Sequence, residues 1–228
     1  MSRTVLLFVV AATFCANSSL LVESPARTPK DGRVLPYMAV LLSGDGGWRS
    51  IDVEIADELN ARGIPVVGFL SNRYFSQRRT PAEVGRDVEA LIDRYTTKWG
   101  RSRVLLIGYS RGADAVPLIL ANSSPPQRAR IVLAAMLGPS RYADLQIRWL
   151  PFGTPPPSVD LLPLVQALKG VPRLLCVNGE DDDETLCPAL TPRDALVLST
   201  PGGHHFGGRY RELARSIVQA AAVPAEVR

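Results

Sequence analysis

The sequence predicts an α/β fold with a mostly parallel sheet covered by helices on both faces. Three observations carry this. Short apolar runs alternate with amphipathic segments along most of the 228 residues, the pattern of parallel strands joined by crossovers. The runs are apolar without polar alternation, as strands buried on both faces should be. The composition, 46% hydrophobic and 21% charged, is that of an ordinary globular chain and excludes collagen-like, coiled-coil and disordered classes. No apolar run reaches the roughly 18 residues of a spanning helix, so a polytopic membrane protein is excluded.

Residues 1–18 read as a secretory signal peptide. Arg3 precedes the apolar run of residues 5–12, and small residues follow at Ala16 and Ser18. Bulky Phe14 argues against a lipid anchor at Cys15. Residues 19–35 read as a linker, and residues 36–228 as one α/β domain. Removal of the leader takes Cys15 with it and leaves Cys176 and Cys187. An even count in an exported chain favours a disulfide between them.

Within the domain, strands are expected over 38–42, 64–70, 104–107, 131–136, 173–177 and 195–198. Helices are expected over 51–61, 81–99, 112–121 and 209–222. The segment 81–99 is the best of them: Pro81 suits a first turn, and Val84, Val88, Leu91, Ile92, Tyr95 and Trp99 share one face. Between 138 and 163 the pattern fails. Six prolines, with Trp149 and Phe152, read as an irregular cap over the strand ends.

Gly108-Tyr109-Ser110-Arg111-Gly112 falls between an expected strand and an expected helix. G-x-S-x-G in that context is a nucleophile elbow. Side chains at either glycine would clash where the chain reverses, and the turn thrusts the Ser110 hydroxyl outward. The N–H of Arg111 then faces an incoming carbonyl at the positive end of a helix. A serine nucleophile needs a base that titrates near neutrality. His204 and His205 are the two histidines of the chain, and His204, beside Gly202 and Gly203, is favoured over His205. An acid must orient that base. Asp182, three residues past Gly179, is the first choice, with Glu180, Asp181 and Asp183 as alternatives. Adjacent histidines with no third rule against a metal site, and no cofactor is expected.

Ser43-Gly44-Asp45-Gly46-Gly47-Trp48 follows the first domain strand. It lacks the third glycine of a dinucleotide fingerprint and the G-K-S/T of a P-loop. It is expected to supply the second oxyanion donor, the N–H of Asp45 or Gly46. The Asp45 carboxylate is a candidate for a substrate amine, as is Asp114. The basic residues are rich in arginine, with a net charge of +4, which suits anionic partners. They form no nucleic-acid-binding pattern, and no nucleic acid partner is expected.

Together, the stretch 41–48, Tyr74-Phe75 before Arg79-Thr80-Pro81, the elbow with Ala113-Asp114, and Gly202-Gly203-His204-His205-Phe206 resemble the bacterial virulence protein family of VirJ and the C-terminal half of AcvB. The resemblance runs from about residue 40 to 218. It implies an α/β-hydrolase fold, a periplasmic location, and cleavage of aminoacyl-phosphatidylglycerol, chiefly the lysyl form, to phosphatidylglycerol and amino acid. It also implies links to type IV secretion proteins as partners. Ser110 carries over as nucleophile and His204 or His205 as base; Asp182 is placed by spacing. Arg111 departs from the apolar residue expected in the family's elbow. It is a candidate, with Arg73, Arg78 and Arg148, for the lipid phosphate, and it could also narrow the pocket. Trp149, Leu150 and Phe152 are candidates for peripheral membrane contact. Two other readings remain at this stage: an esterase or thioesterase for another acyl substrate, and a non-catalytic hydrolase-like scaffold that binds secretion components.

Overall fold

The computed structural model describes residues 20–28, 35–147, 158–168 and 172–222. The expected leader, part of the linker, Arg148, Trp149, Leu150 and Phe152 lie outside the described residues.

Chain order runs β1 (Leu21–Ser24), β2 (Tyr37–Leu42), α1 (Ser50–Ala61), β3 (Val66–Phe69), α2 (Ser71–Tyr74), α3 (Pro81–Trp99) and β4 (Arg103–Tyr109). It continues with α4 (Arg111–Asn122), α5 (Pro125–Arg130), β5 (Ile131–Leu137), β6 (Tyr142–Ala143), β7 (Val159–Asp160) and α6 (Leu161–Ala167). β8 (Arg173–Gly179), β9 (Leu196–Thr200) and α7 (Tyr210–Ala222) complete it. Seven strands form one sheet in the order β1-β3-β2-β4-β5-β8-β9. Every pairing is parallel except that of β1 with β3.

The strand β1 corrects the linker expectation. Leu21 to Ser24 pair antiparallel with Phe69 to Val66 and extend the sheet edge. Tyr95 and Lys98 on α3 both donate to the Glu23 carboxylate and tie this strand to the domain. A four-residue strand without clear alternation gives little periodic signal, and it is fixed by these long-range partners.

Two layers of core flank the sheet, and strand alternation sorts residues between them. Met38, Val40 and Leu42 face the layer that holds α3 and α4, with Val84, Val88, Ile92 and Ile119. Ala39 and Leu41 face the other, with Ile51, Ile55 and Leu59 of α1 and Leu213 and Ile217 of α7. Each such aliphatic side chain contributes about 1.5–3 kcal/mol when fully buried. The helix α3 has the expected bounds. Thr80 accepts from the Glu83 N–H while the Glu83 side chain accepts from Thr80, and Gly100 closes the helix in the left-handed region at φ 60°.

The expected irregular stretch 138–163 contains some order. β6 and β7 form a two-stranded antiparallel pair, and α6 begins after Asp160, whose side chain accepts from the Leu162 N–H at 3.1 Å. Pro163 sits in the first turn of α6, where a missing N–H costs nothing. The expected disulfide is present: Cys176 on β8 joins Cys187, with Cα atoms 5.6 Å apart.

Candidate active site

Parallel strands end together, so the turns after β2, β4, β5, β8 and β9 gather on one rim of the sheet. Ser110 lies between β4 and α4 at φ 53° and ψ −121°, a conformation that costs a non-glycine residue about 1–3 kcal/mol. The flanking glycines show why the turn is possible. A Cβ on Gly108 would lie 2.2 Å from the Gly112 carbonyl oxygen, and one on Gly112 would lie 2.2 Å from that of Leu42. Backbone bonds hold the strained residue: Ser110 N–H donates to Leu137 at 2.9 Å, and Asp114 N–H donates to the Ser110 carbonyl at 3.0 Å.

Asp182 sits in the loop after β8 and His204 in the loop after β9. The Nδ1–H of His204 donates to Asp182 Oδ2 at 2.9 Å. A carboxylate only accepts, so the proton lies on Nδ1 and the lone pair of Nε2 is left for chemistry. The Asp182 side chain is 9% exposed and that of His204 38%, so the acid is shielded and the base is reachable. The two loops are laced by backbone bonds from Glu180 to Thr200 and from Asp181 to Gly202. Gly179 permits this approach, since a Cβ there would meet the Gly203 carbonyl oxygen at 2.2 Å. The disulfide spans the acid loop, as expected. Glu180, Asp181 and Asp183 are exposed, and His204 Nδ1 meets Asp182.

His205 takes a different partner. The Tyr109 hydroxyl and His205 Nδ1 share a hydrogen bond of 2.7 Å. Burial pushes the Tyr109 phenol up to about 12, so it stays protonated at neutral pH. Among the described residues no carboxylate meets the ring of His205, so it lacks the orienting acid that His204 has.

Ser110, His204 and His205 line one cleft of about 490 Å³ with Gly44, Asp45, Gly46, Tyr109 and Tyr210. Arg111 is the first residue of α4, so its N–H has no carbonyl one turn back and is free for an oxyanion. Gly44 lies against the elbow: a Cβ there would touch that of Ser110 at 3.2 Å. The turn that carries Asp45 and Gly46 therefore borders the nucleophile.

The side chains of Asp45 and Arg111 behave differently from the sequence expectation. Arg111 Nη2 donates to Asp45 Oδ2 at 3.0 Å, Nε donates to Oδ1, and Nη1 donates to the Asp144 carbonyl. Each charge is answered by the other, so neither is a free site for substrate amine or phosphate. The pair instead ties the oxyanion turn to the elbow and to residue 144. Asp114 is 8% exposed and accepts from the Ser140 N–H at 2.7 Å. Burial pushes its carboxyl up to about 7. It is absent from the cleft lining and anchors the 138–140 turn, so the expectation that it binds substrate is replaced by a structural role. Arg73 and Arg78 are exposed and do not line the cleft either.

Sequence reasoning missed Arg49, Ser50 and Ile51 at the start of α1, Tyr210 at the start of α7, and Tyr109. Tyr109 had a signal, an aromatic residue inside the elbow motif. The others are brought to the cleft by helix starts and have no local mark.

The sheet order and the elbow are those of an α/β-hydrolase fold. The chain belongs to the bacterial virulence protein family VirJ, whose family model matches residues 36–224. Solved structures agree on the fold. MenH from S. aureus aligns with a TM-score of 0.64 at 12% identity, over 90% of this chain and 100% of that one. Est1E from Butyrivibrio proteoclasticus aligns at 0.60 and 14%, over 89% and 93%. XC6422 from Xanthomonas campestris, described as an α/β serine hydrolase without a lid, aligns at 0.59 and 16%, over 90% and 89%. No curated protein matches the chain.

Proposed function

We propose that the protein is a periplasmic serine hydrolase that cleaves the aminoacyl ester of aminoacyl-phosphatidylglycerol, with the lysyl form preferred. The observation that carries the hydrolytic part is the 2.9 Å contact of His204 with Asp182 at a cleft shared with Ser110. Family membership supports the lipid substrate. The disulfide supports export, because such bonds persist in oxidising compartments.

The reaction runs in two halves. Ser110 Oγ attacks the ester carbonyl while His204 Nε2 takes its proton. The carbonyl oxygen becomes an oxyanion and receives the N–H of Arg111 and that of Asp45 or Gly46, each donor lowering the barrier by about 2.7–4 kcal/mol. His204 returns the proton to the departing glycerol oxygen, which releases phosphatidylglycerol and leaves the aminoacyl group on Ser110. Water, deprotonated by His204, then attacks that ester, and His204 returns the proton to Ser110 Oγ as the amino acid leaves. Asp182 holds Nδ1–H throughout and stabilises the imidazolium. The anionic lipid is the partner in this scheme, with the cleft at the membrane surface and secretion-system proteins as further partners.

A fluorophosphonate probe tests the chemistry. Wild-type protein should be labelled, and Ser110→Ala should lose the label and at least about 10⁴-fold in turnover while melting at the wild-type temperature. Thin-layer analysis of lysyl-phosphatidylglycerol tests the substrate. If the protein cuts a simple ester but leaves this lipid unchanged, the aminoacyl-lipid assignment falls and the esterase reading stays.

A further inference from the structure

The two histidines differ in what holds them. His204 meets a carboxylate, whereas His205 meets the phenol of Tyr109 at 2.7 Å. Tyr109 directly precedes the elbow serine, and His205 directly follows the histidine that carries the base. One hydrogen bond therefore links the residue before Ser110 to the residue after His204, and closes a short circuit across the cleft.

We propose that Tyr109 and His205 are a positioning clamp that fixes the base loop to the nucleophile elbow. The proposal rests on the serine-hydrolase reading of the cleft. The two ends of the clamp differ in rigidity. Tyr109 ends β4, is buried, and pairs in register with Leu137. Its ring is confined on one side by Gly44, where a Cβ would lie 3.2 Å from the ring carbons. The base loop is held by backbone bonds to the acid loop and within itself, from Asp181 to Gly202, Phe206 to Gly203 and Gly208 to His205, none of which reaches the elbow. It contains Gly202, Gly207 and Gly208 at φ 97°, 57° and 74°, positions with wide backbone freedom. Phe206 is buried and anchors the loop downstream of the two histidines. The Asp182 bond orients the ring of His204 but leaves its separation from Ser110 dependent on where the loop sits. Tyr109 supplies a direct restraint from the elbow. It bonds to His205, and its ring lies beside that of His204 with centroids 5.5 Å apart and planes 35° apart. A proton transfer between serine and imidazole tolerates little error in distance, and a displacement of about 1 Å costs as much as 10²-fold in rate.

Neither member touches the reacting atoms through this bond, so the clamp acts on His204 and on the rate of the chemical step. The experiment measures the rate at which a fluorophosphonate labels Ser110, together with kcat and KM for an activated ester such as p-nitrophenyl acetate. Tyr109→Phe keeps the ring and removes the hydroxyl. It should slow labelling and kcat by about tenfold with KM unchanged. His205→Ala should do the same. The double variant should be no slower than either alone, since both remove one interaction. His205→Asn, whose amide keeps a hydrogen-bonding group near the place of Nδ1, should recover most of the rate lost in His205→Ala. Amide hydrogen exchange at Phe206 and Gly208 should speed up in Tyr109→Phe. Labelling and exchange at wild-type rates in Tyr109→Phe overturn the clamp while leaving the hydrolase reading intact, as do additive losses in the double variant. A folded wild type that is not labelled at all removes the hydrolase reading and the clamp with it.

Discussion

Asp182 is one of five consecutive acidic residues, and geometry distinguishes it from its neighbours. Its side chain is 9% exposed and accepts from His204, while Glu180, Asp181 and Asp183 face solvent. A carboxylate that fixes a tautomer cannot be replaced by an amide, because an amide can present its own N–H to the ring and favour the wrong proton position. Asp182→Asn should therefore cost about 10³–10⁴-fold in kcat with the fold intact. Glu180→Gln, Asp181→Asn and Asp183→Asn should each stay within a few-fold of wild type. Steady-state kinetics on one ester substrate compares all four, and a large loss at any of the exposed three would move the acid.

Elements were legible in the sequence where a local signal coincided with a packing requirement. The helix α3 carries a capping box, Pro81 at its start, a Gly100 stop and an apolar face, and its bounds match expectation. The central strands β2, β4, β5 and β8 were visible as apolar runs; β2 ends where expected, and the other three extend past the expected end toward the rim. That extension is where sequence is weak, because Gly108-Tyr109 and Asn178-Gly179 are strand by pairing with neighbours and not by propensity. The short helices α2, α5 and α6 have too few turns to show a period, and β1 is fixed by its partners. Three of the site residues were readable because their motifs coincide with strand ends, whereas the Tyr109–His205 bond joins residues 96 apart and has no spacing signature. The elbow makes the packing requirement testable. Replacing Gly112 with alanine puts a methyl 2.2 Å from the Leu42 backbone oxygen, and neither the start of α4 nor the end of β2 can retreat from the packed sheet. Gly112→Ala should destabilise by about 3 kcal/mol or more and lower Tm by roughly 10 °C. An unchanged thermal melt would mean the elbow is looser than its geometry.

Across the molecule, each helical layer places a buried acid at the rim where the strands end. Asp52 lies in the first turn of α1 and Asp114 in the first turn of α4, one on each side of the sheet. Desolvation raises both carboxyls, Asp52 to about 6 and Asp114 to about 7, against an ordinary value of 3.8, and backbone donors offset only part of it. The sign of the pH effect follows. Between about pH 4 and pH 7 the native protein keeps protons that the unfolded chain has already released, so stability falls as pH rises through that window and levels above it. Glu83 and Asp194 work in the opposite direction. N–H donors of Thr80 and Thr191 hold their carboxyls below the usual range, and their contribution is lost on acidification. The summed curve mixes both kinds, so the informative measurement is a difference. Asp114→Asn keeps an oxygen for the Ser140 N–H and removes the ionisation. In denaturant titrations it should be more stable than wild type at pH 8, and the advantage should shrink steadily as pH falls from 7 toward 4. A gain that is the same at pH 5 and pH 8 would show that Asp114 is as fully ionised in the native protein as in the unfolded chain across that range, and that burial does not raise its carboxyl.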